Sequence, residues 1–550
     1  MKIVLAAVNA KYIHSNLAVY SLRAYAKKYK KDVSIAEYTI NQQPDQVLRD
    51  LYKRKPAVLC FSCYIWNISY VEELIRDIKK LLPKTHIWVG GPEVSYDAMN
   101  YLKRMPEVCG VMMGEGEETF QQLMEHYDTG EPQLVQISGI AFRDEMGTIG
   151  QNSWRVPIDL SAIPFVYEDM KDFEHRIIYY ESSRGCPFGC SYCLSSIDKH
   201  LRFRDLEMVK KELQFFIDAK VPQVKFVDRT FNCNHKHAME IWSYILEHDQ
   251  GVTNFHFEVA ADLLNEEELR LIGQMRPGLI QLEIGVQSTN EETIREIRRS
   301  MKFPEVARIV KQIRQKENVH QHLDLIAGLP YEGIESFKKS FNDVYNLHPD
   351  QLQLGFLKVL KGSHMEKQAK EYGLVYKSKA PYEVLATNWL SYDEVLELKM
   401  VEEMVEVYYN SGQFSHTLRR LEQAFATPYE LYFQLGKYYE TRGFSEVSHS
   451  RIARYEILLD FIKGFGFDEE ELYRELLTFD LYLRENVKNR PAFAGDYTVE
   501  KEVKKQYGKT VHLERFSYDV TGTCEKKELT VLFDYEKRSK LNHQATTLCL

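Results

Sequence analysis

Three cysteines fall within eight residues, in Cys186-Pro187-Phe188-Gly189-Cys190-Ser191-Tyr192-Cys193. Thiols at a C-x3-C-x2-C spacing share one loop, at the end of whatever element carries them. They match three irons of a [4Fe–4S] cluster and leave the fourth iron open to a small molecule. The alternatives are a plain glycine-containing loop or part of a zinc site. A zinc site needs a fourth ligand and usually shows paired C-x2-C arms.

Around that loop, short apolar strands alternate with helices. Positions 3–8, 33–38, 57–62, 86–90 and 108–113 read as strands. Helical stretches such as 69–82 separate them, and Ser69-Tyr70-Val71-Glu72 fits a capping box there. This order predicts a doubly wound parallel α/β sheet (Rossmann-like) over residues 1–135, with ligands at the carboxyl ends of its strands. Those ends are rich in small and polar residues: Asn9, Ala10 and His14; Ser62 to Asn67, with Tyr64 and Trp66; Gly90-Gly91-Pro92-Glu93; and Gly114-Glu115-Gly116. Residues 136–170 read as a linker. A second strand–helix series occupies 171–375, with strands expected at 177–182, 224–228, 255–260, 279–287, 322–328 and 352–357. Six βα units are too few for a complete eight-stranded barrel. The cysteine loop follows the first of them, at the end where parallel barrels do their chemistry. Residues 376–550 read as a mostly helical domain. Ser391-Tyr392-Asp393-Glu394 is a capping box there, Thr427-Pro428 starts another helix, and 530–535 alternates like a strand.

The 550 residues carry 71 basic and 80 acidic side chains, a net charge of −9. That balance disfavours a sequence-independent grip on nucleic acid, which needs a basic surface. No apolar run approaches the ~20 residues of a membrane span. The apolar start, Ile3 to Val8, reads as a strand rather than a signal peptide. A cytoplasmic location is therefore expected, and it suits thiolate ligands that need reducing conditions. Of the nine cysteines, six are scattered without a disulfide framework. Cys60 and Cys63 form a lone C-x2-C in an expected strand and read as packed thiols. Cys233 is given no catalytic role.

The run from Ile177 to Cys186 resembles the first barrel strand and cluster loop of the radical S-adenosylmethionine (SAM) superfamily. Tyr192 matches the aromatic before the last cysteine. Later stretches resemble that family's other strand ends: Phe226 to Phe231 the second, Glu258 on the third, and Glu283 with Gly285-Val286-Gln287-Ser288 on the fourth. Asp324 to Pro330 resembles the fifth, and Gln353 to Ser363 the sixth. The resemblance implies a partial (β/α)6 barrel with a [4Fe–4S] cluster on Cys186, Cys190 and Cys193. It implies SAM contacts from Tyr192, Asp228, Glu258, Glu283, Gln287, Ser288, Asp324 and Leu357. One electron then cleaves SAM to methionine and a 5′-deoxyadenosyl radical, with the protein orienting the cofactor.

An α/β domain ahead of such a barrel resembles the cobalamin-binding domain of the B12-dependent branch. By that resemblance Asn9, Ala10, His14, Ser62, Tyr64, Trp66, Gly90, Gly91, Pro92, Glu93, Gly114, Glu115 and Gly116 contact a corrin. Many B12 proteins supply a histidine to cobalt from D-x-H-x-x-G. That string is absent from residues 1–135, and Asp198-Lys199-His200 lacks the glycine, so the lower ligand stays open. The C-terminal domain resembles an extension carried by some of these proteins and is expected to close the barrel mouth. The implied function is cobalamin-dependent radical methylation of an unactivated carbon or phosphorus centre. The substrate would be a small molecule or a peptide, and the electron donor a protein such as flavodoxin or ferredoxin. The alternatives are a methyl-free cyclisation or rearrangement with the same cofactors, a methylthiotransferase-like tRNA or protein modifier with a second cluster, and a non-enzymatic cobalamin- or redox-responsive binding protein.

Overall fold

Strands β1 (Ile3–Asn9), β2 (Val33–Thr39), β3 (Val58–Ser62), β4 (His86–Gly90) and β5 (Gly110–Met112) form a parallel sheet in the order β2-β1-β3-β4-β5. All seven residues of β1 are buried, as expected of a central strand covered by helices on both faces. In this computed structural model, residues 1–466, 469–495 and 510–550 are described. The strand order places the topological switch point between β1 and β3, where open α/β sheets take their ligands.

Helix Ile68–Leu81 turns a stripe of Ile68, Val71, Leu74, Ile75 and Ile78 onto the sheet. Its start departs from the capping box expected at Ser69. Asn67 occupies the cap and ties the preceding loop together, with its amide donating to the carbonyls of Val8 (2.9 Å) and Ser62 (3.0 Å). The segment expected to be a linker also departs from expectation. It forms a hairpin, β6 (Ile140–Arg143) and β7 (Ile149–Gln151), that extends the sheet antiparallel from β5.

The second unit begins at β8 (Ile178–Tyr180). A short antiparallel pair follows, β9 (Ser183–Arg184) with β10 (Arg202–Phe203), and it closes the base of the cysteine loop. Strands β11 (Gln223–Phe226), β12 (Asn254–Val259), β13 (Ile280–Gln287), β14 (His320–Ala327) and β15 (Gln351–Phe356) complete a parallel sheet in the order β15-β14-β13-β12-β11-β8. This is the expected six-stranded open barrel, with β8 and β15 as its edges. A bulge in β13 separates Gly285 from Gln287, which has φ +72°.

The C-terminal domain packs helices Tyr392–Met404, Pro428–Arg442, Arg451–Gly464 and Glu470–Arg484 beside the barrel. The expected capping boundaries at Ser391 and Thr427 are present. A π-helical turn, Val405–Asn410, brings Asn410 against the edge strand β15. There its side-chain amide accepts from Leu352 N and donates to Leu352 O, both at 2.9 Å. This pairing covers a backbone edge that would otherwise be open.

The domain contacts both ends of the barrel. A ribbon of β16 (Val375–Tyr376) and β17 (Val384–Ala386) lies over the carboxyl ends of β14 and β15, where Val384 N donates to Leu357 O at 2.9 Å. A terminal antiparallel sheet, β18 (Val511–Tyr518), β19 (Lys526–Arg538) and β20 (Ala545–Cys549), reaches the opposite end of the barrel. Lys540, between β19 and β20, donates to Gly251 O at 2.6 Å. At Gly278 a Cβ would stand 2.7 Å from the Lys540 carbonyl.

Candidate active site between the barrel and the N-terminal sheet

The cysteine loop hangs from the β9–β10 pair. Gly185 has φ +94°, and a Cβ there would lie 2.6 Å from His200 O, so only glycine fits. The loop is held by Cys186 N donating to Asp198 O (3.1 Å), Ser191 N to Ile297 O (2.8 Å) and Met365 N to Ser191 O (2.8 Å). Cys186 and Cys190 are buried and Cys193 is half-buried, all as free thiols. Among the described residues no three His, Cys, Asp or Glu side chains converge tightly enough to hold a single metal ion. A [4Fe–4S] cluster takes its protein ligands on separate irons, so Cys186, Cys190 and Cys193 in one loop are the residues that would hold it.

A residue that the motifs did not reveal sits against these thiols. Arg299 donates to Gly285 O and to Tyr192 Oη (3.3 Å), and lies 3.9 Å from Cys190 Sγ. Its Nε is buried without a partner. Burial raises the Cys190 thiol, and Arg299 opposes that rise. The Gln287 amide lies over Gly285, with its Oε1 also unpaired. Cys190, Tyr192, Gln287 and Arg299 thus form one contiguous group.

Other expected SAM contacts divide into two sets. Glu258, Glu283 and Asp324 share the barrel interior. Burial raises Glu258 to about 7, opposed by Arg229 and reinforced by Glu283. Burial would raise Glu283 too, but His256 (3.0 Å) and Lys225 (2.9 Å) outweigh it and hold the carboxyl far below its ordinary value. Asp324 is raised by burial despite His322 at 3.0 Å. Sequence reasoning missed Lys225, His256 and His322. Two of them stand two positions before a motif carboxylate, Glu258 or Asp324, so strand alternation places them on the same interior face.

Asp228, Ser288 and Leu357 instead serve the fold. Asp228 accepts from Ser182 N (3.0 Å), Ser182 Oγ (2.7 Å) and Ser183 Oγ (2.6 Å), which anchors the strand leading into the cysteine loop. Its carboxyl is raised to about 6 by burial, against those hydrogen bonds. Ser288 donates to the buried Glu332 at 2.6 Å. Leu357 belongs to an apolar cluster with Ile297, Val359 and Met365, against which Tyr192 packs.

The expected corrin contacts also divide. Tyr64 stacks on Trp66 at 4.4 Å and 7°, and Trp66 is 45% exposed. Ala10 is half-buried at the end of β1. His14 Nδ1 lies 2.6 Å from Tyr179 Oη, on the first barrel strand. These groups sit at the β1/β3 switch point and leave aromatic surface and backbone for a flat macrocycle, so they fit a corrin. Asn9 is used internally, donating to His14 O (3.0 Å) and Glu37 (2.9 Å), and Ser62 Oγ accepts from Asn16 at 3.1 Å. Gly91, at φ +112°, has Cys63 O only 2.4 Å from where a Cβ would be, which explains the glycine without a ligand. Gly90 makes ordinary contacts with Met112, and Pro92 opens the short helix Pro92–Ser95. Gly114 (φ +72°) packs under the Trp154 ring, and Gly116 caps helix Glu117–Thr129.

Glu93 and Glu115 are engaged by partners on other segments. Glu93 binds Lys361 Nζ (2.8 Å) and accepts from Tyr382 Oη (2.5 Å). Glu115 binds Arg202 (2.7 Å) and accepts from Ile158 N (2.8 Å). Arg184 binds Glu117 (2.8 Å) and Glu181 (2.7 Å). The strand ends of the first sheet are therefore salt-linked to the hairpin that carries the cysteine loop.

Three family models match in succession: a B12 binding domain over residues 3–124, the radical SAM superfamily over 180–344, and a protein of unknown function, DUF4080, over 370–533. The chain is 24% identical over 342 residues to the cobalamin-dependent radical SAM methyltransferase TokK of Streptomyces tokunonensis, covering 58% of this chain and 50% of that protein. It is 22% identical over 339 residues to an anaerobic magnesium-protoporphyrin IX monomethyl ester cyclase of Rubrivivax gelatinosus, covering 58% and 60%. The cobalamin-dependent S-adenosylmethionine radical enzyme OxsB, with aqua-cobalamin bound, matches in fold with a TM-score of 0.60 at 15% identity, over 87% of this chain and 80% of that one. The match spans about half the length of TokK.

Proposed function

Since the chain is a B12-binding radical SAM protein with a C-terminal extension, we propose that it is a cobalamin-dependent methyltransferase acting on an unactivated carbon or phosphorus centre of a small molecule or peptide. Its cofactors are a [4Fe–4S] cluster, SAM and cobalamin. When bound, the cluster and SAM supply a hydrogen-abstracting radical and cobalamin supplies a methyl group. The observation that carries the reading is the docking of the β1/β3 switch point onto the barrel. The His14–Tyr179 contact and the Glu115–Arg202 pair turn a corrin cradle toward the cysteine loop.

The chain's own residues divide the work. Cys186, Cys190 and Cys193 hold the cluster. Arg299, with its free Nε, binds the SAM carboxylate. Glu258 sets its carboxylate toward the cationic SAM sulfonium, and Gln287 offers its unpaired amide oxygen to the ribose. The Glu258 assignment sets a pH dependence. Its carboxyl is raised to about 7, so it gains a proton as pH falls through that value and loses its attraction for the sulfonium. SAM affinity is expected to drop below pH 7 and level off above it, and Glu258→Gln should flatten the profile. A flat wild-type profile by equilibrium dialysis removes Glu258 from the site.

The cyclase relative supports a second reading, methyl-free radical chemistry on the same cofactors, because it covers as much of this chain as TokK does. The methylthiotransferase reading is disfavoured because Cys60 and Cys63 are buried in the apolar core, where no second cluster fits. Anaerobic reconstitution with iron, sulfide and hydroxocobalamin tests the set. One cluster, one corrin, and both S-adenosylhomocysteine and 5′-deoxyadenosine support methylation. A corrin with 5′-deoxyadenosine alone favours the second reading. Two clusters without a corrin overturn both.

A further inference from the structure

Parallel barrels normally fill their centre with branched apolar side chains. Here strand alternation turns His256 and Glu258 of β12, Gln281 and Glu283 of β13, and His322 and Asp324 of β14 inward. The alternate positions Phe255, Phe257, Leu282, Ile284, Leu323 and Leu325 are apolar and buried on the outer face. The sheet therefore encloses a polar chamber rather than a packed centre. Glu283 stands four residues before Gln287 on β13, roughly 13 Å of strand. The chamber is thus deeper in the barrel than the group formed by Cys190, Tyr192, Gln287 and Arg299.

Two histidine–carboxylate pairs stand side by side in it. His256 Nε2 lies 3.0 Å from Glu283, and His322 Nε2 lies 3.0 Å from Asp324. Glu283 and His322 are register partners on adjacent strands, which run about 4.8 Å apart. His256 is 6% and His322 7% exposed. Neither Nε2, nor Asp324 Oδ1, has an aligned hydrogen-bond partner among the described residues. Buried polar atoms are nearly always satisfied, so these point to a ligand. With the proton on Nε2, as a facing carboxylate favours, each pair offers one donor beside one acceptor. A hydroxyl group both accepts and donates, and so matches each pair. An ammonium only donates and would leave two imidazole N–H groups unmatched. A carboxylate or phosphate only accepts and would face Glu283 and Asp324. An alkyl chain would bury all four groups without partners.

We infer that the substrate is a polyhydroxylated molecule, of the sugar, cyclitol or nucleoside kind. Its neighbouring hydroxyls bind the His256–Glu283 and His322–Asp324 pairs. Lys225, 2.9 Å from Glu283, keeps that carboxylate ionised as an acceptor. The inference rests on the proposed radical chemistry and names its substrate class. It also places the reacting centre at carbon, because a C–H bond on a hydroxyl-bearing carbon is weaker than an alkane C–H bond. In that step the substrate C–H bond breaks and a C–H bond of 5′-deoxyadenosine forms. The unpaired electron passes to the substrate carbon.

The test uses the reconstituted full chain at saturating SAM under reducing conditions, with 5′-deoxyadenosine as the readout. The probes are fractions of a deproteinised extract of the source cells. One is retained by phenylboronate resin, which binds vicinal diols, one is the unretained aqueous remainder, and one is the chloroform layer. The boronate-retained fraction is expected to raise 5′-deoxyadenosine formation above the substrate-free rate. His322→Phe is expected to cut that stimulation about tenfold, the cost of one buried hydrogen bond. The loss should appear in the amount of fraction needed for the half-maximal rate, and not in the SAM Kd. His322→Gln keeps a donor near the Nε2 position and should recover part of the stimulation. No stimulation by the retained fraction overturns the polyol site while leaving the radical chemistry intact. So does a His322→Phe chain stimulated as strongly as the wild type. A chain that forms no 5′-deoxyadenosine in any mixture, the substrate-free one included, overturns the function on which the inference rests.

Discussion

Alanine at Cys186, Cys190 and Cys193 together takes the reconstituted chain from about four irons to near zero and abolishes SAM cleavage, while the protein stays folded. The loop does not depend on a metal for its path. Backbone hydrogen bonds from Cys186 N, Ser191 N and Met365 N hold it, and the β9–β10 pair closes its base. Removing a small buried thiol costs about 1 kcal/mol per site, which a chain of this size absorbs. Iron analysis with far-ultraviolet circular dichroism separates ligand loss from unfolding. Retention of about four irons would mean a second cluster and would revive the modifier reading through Cys60, Cys63 and Cys109. The complementary variant, Cys60→Ala/Cys63→Ala, is expected to keep full iron content, because both thiols are buried in the core of the first sheet.

Arg299→Ala is expected to weaken SAM binding by about 2–3 kcal/mol, roughly 30- to 150-fold in Kd, the usual cost of losing a charge-assisted hydrogen bond in a buried site. The guanidinium is held by Gly285 O and Tyr192 Oη beside Cys190. Its Nε is buried without a partner, and that unused donor is the group assigned above to the SAM carboxylate. Equilibrium dialysis on the reconstituted protein reads the loss directly, with iron content as the check that the cluster persists. Lysine keeps the charge but not the planar fork, so Arg299→Lys should recover only part of the affinity. Unchanged SAM affinity in Arg299→Ala would confine the residue to a structural role under the β13 bulge.

Much of the architecture is legible in local pattern. The six barrel strands and the five parallel strands of the first sheet announce themselves as short apolar runs bounded by turns. The helix starts at Ser391 and Thr427 follow from a hydroxyl residue followed by a glutamate three positions on. The start near Ser69 misleads because Asn67, which bonds across to Val8, outcompetes the local capping box. Arg299 escapes motif reading because it approaches Cys190 from 109 positions away. Glu93 and Glu115 look like ligand contacts because they follow glycines at strand ends. The partners that hold them in the fold are remote: Tyr382 lies 289 positions from Glu93, and no periodicity signals such a pairing.

The sequence by itself determined that the three thiols share one loop, because covalent spacing alone confines them there. It also determined the strand–helix order, because hydrophobic period is a local property of the chain. The tertiary structure decided which polar groups remain free for a ligand. Asp228, Ser288, Glu93 and Glu115 are engaged within the fold, whereas Gln287 and Arg299 keep buried polar atoms without a hydrogen-bond partner. A buried polar atom is satisfied or left open by whatever distant segment packs against it, and that is settled only when the whole chain has folded.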